Sequence, residues 1–375
     1  GTDDYNLYVG VDNPYNPFGS RFYHPTGLAN TDGTPRITGN PAAVMIAGST
    51  GVRPREFKER SINVLSQSFR GVAGLRGKTF ADFEWESGMM YSRAWTRDEE
   101  TYNVRHSLLQ NALLRTDATA FNPFGYTFKL TPNPGGVTGG GTAAANPYLI
   151  QIDQPYTNPD SVVDPLYDTF IREGRTELAT WDGKINGTLF DLWGGGGRVA
   201  AALGAEYRWE SYKDWRPPFH GLNPDGFLVN APGFPAVDND FIGLSPNRNL
   251  YSDRDVMSTY GELLFPIISR KNRLPLVQAF EVGVAGRYEK FSDFGDAFKP
   301  KYSVAWRPTG NLLFRASYNE SFRAPNLVQT NTSPLQRSVS GVSDPYRFTV
   351  TNVITDGSVS RTVFRQGNDQ LDPEE

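Results

Sequence analysis

The run Val199-Ala200-Ala201-Ala202-Leu203-Gly204-Ala205-Glu206-Tyr207-Arg208-Trp209-Glu210 decides the fold class. Val199, Ala201, Leu203, Ala205, Tyr207 and Trp209 are apolar or aromatic, whereas the alternate set ends in Glu206, Arg208 and Glu210. Successive side chains of a strand point to opposite faces, so this is a strand with one apolar and one charged face. The period of two returns in residues 280–289, where Phe280, Val282, Val284, Gly286 and Tyr288 oppose Glu281, Gly283, Ala285, Arg287 and Glu289. It returns again in residues 83–92 and in residues 312–319, where Arg315 lies in the polar set.

Outward from these strands, each follows a compact turn and an earlier strand-like run. The turns fall at residues 77–79, 191–197, 266–276 and 308–311, rich in the Gly, Pro and Asn that turns need. Four hairpins, or eight strands, are therefore predicted. The connections on the other edge are long, at residues 97–171 and 213–251, with a short one at 292–298. Short turns on one edge and long loops on the other are a property of outer-membrane barrels. A soluble β-sandwich also alternates, with one solvated face. Trp95, Tyr207, Trp209, Tyr212, Tyr288, Trp306, Tyr318 and Phe322 gather near predicted strand ends, where aromatic rings suit a membrane–water interface.

Composition narrows the function. The 375 residues carry a net charge of −4, and no basic patch marks a nucleic-acid binder. The absence of cysteine excludes disulfides, thiolate metal sites and cysteine nucleophiles. His24, His106 and His220 are far apart in sequence; His24 and His220 sit beside prolines and read as exposed loop residues, with metal ligation the less favoured reading. No run of ~18 apolar residues predicts a membrane helix, which leaves strand-crossing open. Glycine (38) and proline (27) indicate a loop-rich fold.

Within the first long loop, Val104, Leu108, Leu109, Ala112 and Leu113 sit at helical spacing and predict a short helix over the barrel mouth. Residues 131–145 are low in complexity. Asn13-Pro14-Tyr15-Asn16-Pro17-Phe18-Gly19 has an echo in Phe121-Asn122-Pro123-Phe124-Gly125, read as turns that plug their own loop or touch a ligand. The four glycines 194–197 lack the Gly-Lys-Ser/Thr of a phosphate loop and read as a tight turn. Glu206, Arg208, Glu210, Glu262, Glu281, Arg287, Glu289 and Arg315 share the charged faces. They read as an interior salt-bridge network or as solute contacts, and no catalytic residue, metal site or cofactor is expected. In residues 213–251, Trp215, Phe219 and Phe234 offer stacking surfaces, and Arg216 and Arg248 suit an anionic ligand. Packing of the loop on itself is the other reading of the same residues. Leu203 is expected to face lipid, and Gly204 the lumen, where an added side chain should be the milder change.

The segment Leu312-Leu313-Phe314-Arg315-Ala316-Ser317-Tyr318-Asn319-Glu320-Ser321-Phe322-Arg323-Ala324-Pro325-Asn326-Leu327 resembles the "RASY…GFRAPNL" segment of TonB-dependent outer-membrane receptors. Gly204-Ala205-Glu206-Tyr207-Arg208, Tyr260-Gly261-Glu262-Leu263 and Gly286-Arg287-Tyr288-Glu289 fall in the family's order. The ending Gly367-Asn368-Asp369-Gln370-Leu371-Asp372-Pro373-Glu374 is similar to the family's "GNPxLxPE". Phe322, Arg323, Ala324 and Pro325 carry the most specific part.

The resemblance implies an all-β fold, a transmembrane antiparallel β-barrel of 22 strands with an N-terminal plug, in the bacterial outer membrane. This chain then reads as a central part: residues 1–61 a loop region, 62–325 barrel hairpins, and 326–375 a loop leading to a further strand, without the plug or the C-terminal strands. The implied function is energised uptake of a scarce siderophore, vitamin, oligosaccharide or peptide. The implied partners are outer-membrane lipid and lipopolysaccharide, and the TonB complex through the plug. A passive porin-like or adhesin-like barrel, and a soluble β-sandwich binding module, are the alternatives.

Overall fold

The computed structural model describes residues 7–46, 57–80, 82–133, 147–192, 194–227, 239–244, 246–331, 335–342, 346, 349–350 and 359–374. Four short strands come first: β1 (Leu7–Val9), β2 (Tyr23–His24), β3 (Ile37–Thr38) and β4 (Val44–Ile46). The long strands β5 (Ile62–Lys78) and β6 (Glu84–Val104) follow. Helix α1 (His106–Leu114), the hairpin β7 (Tyr126–Pro132) and β8 (Tyr148–Pro155), and the single turn α2 (Asp160–Val163) fill the first long loop. Then come β9 (Tyr167–Asp191), β10 (Arg198–Trp215), β11 (Leu250–Ile268), β12 (Ala279–Phe291), β13 (Gly295–Thr309) and β14 (Leu312–Asn319). Helix α3 (Leu327–Asn331), β15 (Leu335–Val342) and β16 (Val359–Arg365) complete the order.

Eight strands form one sheet in the order β14-β13-β12-β11-β10-β9-β6-β5, and every neighbouring pair is antiparallel. The other sheets are two-stranded. Among the described residues β5 and β14 remain edges, so the sheet is an open segment of wall. Its register aligns the two faces across strands. Leu203 lies beside Ile185 and Gly261, and Tyr207 beside Trp181 and Met257. One position before Tyr207, on the other face, Glu206 lies beside Asp182 and Ser258, and Ser258 beside Glu289. The apolar face is uncovered by protein: Leu203 is 61% exposed, Met257 61% and Phe298 60%. Apolar area of that extent on one face, strand after strand, is stable against hydrocarbon and not against water. Near one margin of this face Trp306 stacks on Phe314, with Tyr302 on Tyr318 further along. Such cross-strand aromatic pairs stabilise a sheet and form an interfacial girdle.

The strands overrun the patterned sequence on the long-loop edge. β6 continues to Val104 and β9 begins at Tyr167, so residues 97–104 and 167–171 are strand rather than loop. Cross-strand ion pairing such as Arg97–Glu173 at 2.8 Å holds this extension, with polar residues on both faces. On the opposite edge the turns are short. Gly196 sits where two of them meet: a Cβ there would lie 2.1 Å from the Pro266 carbonyl oxygen. Gly204 is closely approached from the neighbouring strand. It is on the charged face, but the Tyr260 ring lies across it, and a Cβ would meet Cζ of that ring at 2.3 Å. An added side chain there must displace Tyr260.

The predicted helix forms as α1, two residues later than the first apolar position of its spacing. Leu109, Ala112 and Leu113 on its buried face join Leu7, Val9, Phe121, Val162, Val163 and Leu166 in a separate hydrophobic core. The long-loop edge therefore carries a folded cap. Both Asn-Pro motifs are built into it as turns. Asn13 Oδ1 accepts from the Tyr15 N–H, and its Nδ2 donates to the carbonyls of Leu113 and Phe121. Asn122 Oδ1 accepts from the Phe124 N–H while its backbone exchanges two hydrogen bonds with the Asn158 side chain. These buried amides satisfy backbone groups that an irregular segment would otherwise leave unpaired.

Candidate functional site

Two regions gather polar groups, the charged face of the sheet and the junction of the two long loops. On the charged face, Arg287 bridges Glu206 at 3.0 Å and Glu289 at 2.5 Å. Arg208 lies between Glu206 and Glu210, 3.8 Å from each. Of the other candidates, Glu262 pairs in register with Ala202 and Ala285, and Glu281 and Arg315 both face Ala305. The eight residues thus share one face, but they form one connected network and separate positions further toward the short turns.

A cavity of about 1350 Å³ opens on this face, lined by Arg208, Glu210, Glu289 and the segment from Phe322 to Gln329. That segment follows β14 and folds back over β10 and β11 instead of leading away. It includes Phe322, Arg323, Ala324 and Pro325. Arg254, the middle residue of Asp253-Arg254-Asp255, fixes it. Its side chain is 4% exposed, donates through Nε and Nη2 to Asp293 at 3.0 and 2.6 Å, and donates from Nη2 to the Pro325 carbonyl at 2.7 Å. The guanidinium also lies over the rings of Phe291 and Phe294, each centroid 5.6 Å away. From sequence, Asp253-Arg254-Asp255 invites only a metal-loop reading, without the spacing of a calcium site, and the anchoring role of Arg254 is not visible.

At the loop junction, Asp240 is fully buried. Its carboxylate accepts from Arg105 Nε at 2.6 Å, from the Ser107 N–H at 2.8 Å and from Ser107 Oγ at 2.7 Å. Arg105 supplies no side-chain cap to α1, so a carboxylate from the other long loop satisfies the helix N-terminus and its dipole. The Arg105 guanidinium lies 4.5 Å from the centroid of Phe219, whose backbone has φ of +70°. Phe219 also meets Phe227 edge-on at 4.9 Å.

The remaining loop candidates are dispersed. Trp215 ends β10 under the ammonium of Lys213, 5.6 Å from its ring centroid. Arg216 is 5% exposed and bridges Asp214 at 3.0 Å. Arg248 is exposed, and its neighbours Asn249 and Asn247 bond the backbone of Arg216 and Gly221. Phe234 lies outside the described residues. Asp240 was not singled out by sequence, and His220, which joins this junction, read only as a loop residue beside a proline. Among the described residues, no cluster of His, Asp or Glu with metal-ligand geometry occurs.

A wall of long antiparallel strands, apolar on one face and charged on the other, defines a transmembrane β-barrel segment. Residues 3–375 match the family described as TonB dependent receptor-like, beta-barrel, and the chain belongs to that family. Among solved structures it is similar to the siderophore receptor PirA from Pseudomonas aeruginosa, at 15% identity and TM-score 0.34, over 83% of this chain and 41% of that one. The siderophore receptor PirA from Acinetobacter baumannii matches at 12% identity and TM-score 0.37, over 83% and 39%. The chain therefore spans about two fifths of the length of these receptors. No curated protein matched it.

Proposed function

We propose that the chain is the central wall and outer cap of an outer-membrane receptor that takes up a scarce ligand with energy supplied through TonB. The observation that carries this reading is the charged cavity beside the Arg254-anchored segment. A recess on the lumenal face that mixes charged groups (Arg208, Glu210, Glu289) with apolar ones (Phe291, Phe322, Leu327) suits capture followed by passage better than free diffusion does. In this reading the apolar face meets outer-membrane lipid and lipopolysaccharide. The Glu206–Arg287–Glu289 network meets a plug through polar, reversible contacts. The junction of the two long loops lies on the outside and holds the ligand-binding surface, with Phe219 and Trp215 as stacking residues. No residue is catalytic: the carboxylates of Glu206, Glu210 and Glu289 are held by arginines and stabilise structure. A siderophore is the first ligand to test, since the two similar structures are siderophore receptors.

The test is uptake of radiolabelled ferric siderophores by cells carrying the full-length protein, with and without functional TonB. Accumulation that requires TonB supports the proposal. Equal accumulation in both strains replaces it with the passive porin-like reading.

A further inference from the structure

The junction of the long loops contains an imidazole in an unusual position. β9 and β10 pair as far as Glu173 and Trp215, and β10 then turns away at Arg216. Ile171 lies two residues beyond that last pair. Its N–H donates instead to Nδ1 of His220, at 2.8 Å. A side chain thus replaces the missing neighbouring strand. Because a backbone N–H only donates, this contact requires a lone pair on Nδ1.

The half-buried ring packs against the parts that hold the loops together. It stacks on Phe170 with centroids 5.7 Å apart and lies 5.1 Å from Phe241. Phe241 meets Phe170 edge-on at 5.5 Å. Phe241 is carried by the strip that Asp240 fastens to Arg105 and Ser107, and the Ile242 N–H donates to the Val104 carbonyl at 3.0 Å. Three charged groups face this box. From β9 comes Asp168, from the β6–α1 junction Arg105, and from the strip Asp240. Asp168 and Asp240 both bind Arg105, at 3.6 and 2.6 Å. Burial is the main cause that holds the His220 pKa below its ordinary value; Asp168 opposes it and Arg105 reinforces it.

We propose that His220 makes the junction of the two long loops an acid-sensitive latch, closed while the imidazole is neutral and released when it takes up a proton. Protonation turns Nδ1 into a donor facing the Ile171 N–H. It also puts a second cation beside Arg105 in a largely aromatic box. The released loop returns the ring to water, where the imidazolium is solvated. Since the closed state holds the proton less tightly than the open one, closure is fully favoured above the ordinary histidine pKa of ~6.5 and weakens as pH falls through it. This goes beyond the uptake reading, and it stands or falls independently of the ligand.

The test is hydrogen exchange of the purified full-length protein in detergent at pH 7.5 and 5.0, corrected for intrinsic exchange rates. Protection of residues 167–172 and 239–244 is expected to fall at the lower pH, about tenfold for each pK unit separating open from closed. The His220→Gln variant keeps an acceptor but takes up no proton, and its protection should be the same at both pH values. Unchanged protection in the wild type overturns the latch, as does an equal loss in wild type and variant. If Gln leaves the loops open at both pH values, nitrogen-15 histidine titration by NMR decides, with only three histidines to assign. A His220 that titrates at or above its ordinary value overturns the proposal, and one that titrates below it supports it.

Discussion

Arg254 donates from Nη2 to the carbonyl oxygen of Pro325 at 2.7 Å, tying the first stretch of β11 to the segment after the last strand of the sheet. The same guanidinium holds Asp293, between β12 and β13. Three separate stretches of chain thus depend on one buried cation.

Replacing Arg254 by Met removes the cation and leaves Asp293 without it. Breaking a buried pair from one side costs about 3–5 kcal/mol. The expected result is release of residues 322–331, read as faster tryptic cleavage after Arg323 in an assembled barrel. Cleavage at the wild-type rate would show that the segment is held by other contacts.

Leu203→Arg should cost ~2–4 kcal/mol of barrel stability if it lies near the bilayer midplane. Gly204→Ala, on the other face, should also destabilise, because Tyr260 occupies the space its Cβ needs. Pairing it with Tyr260→Ala should recover most of that loss, since the two residues share one volume. Urea titrations of the protein in lipid vesicles measure all four. A double variant no better than Gly204→Ala alone would remove Tyr260 from the explanation.

Asp240→Ala should separate the two long loops without preventing barrel assembly, because the ion pair and both Ser107 hydrogen bonds lie outside the sheet. Ligand affinity should fall at least tenfold, while gel mobility of the unheated, folded protein stays unchanged. Full affinity in this variant would detach the junction from binding. Deleting residues 218–241 is the coarser version of the same experiment.

Alkaline titration reports on the cap. Burial, and then the hydrogen bond with Tyr156, push the Tyr15 pKa up to about 12. A phenol whose folded pKa is raised stabilises the folded state fully below the ordinary pKa of 10. That contribution is lost as pH rises from there through the folded value. The cap should therefore loosen between pH 10 and 12, and Tyr15→Phe should abolish that pH dependence. Phenolate absorbance against cap protection in hydrogen exchange is the measurement.

The wall was legible because lipid imposes a period of two: Val199 through Trp209 cannot hide which face is apolar. The helix was legible for a similar reason, since Leu109, Ala112 and Leu113 must meet one core. The overrun of β6 and β9 was not, because Arg97, Asp98, Glu99 and Glu100 are hydrated on both faces and leave no periodicity. The cavity's anchor was also hidden. Arg254, Asp293 and Pro325 are distant in sequence, and only folding brings them together. Asp240 and His220 act through partners on another loop, so neither carried a local motif.

The overrun has a consequence for how charge is organised along the molecule. From Trp95 to Val104, β6 continues for roughly 30 Å at the rise of an antiparallel strand. The Debye length at physiological ionic strength is about 8 Å. Through water, the ion pairs around α1 and those around Arg287 are therefore electrically deaf to each other. Substitutions that tune attraction of a solute to the tip should leave the potential inside the wall unchanged. The potential at the tip and the potential along the wall can therefore be adjusted on separate residues.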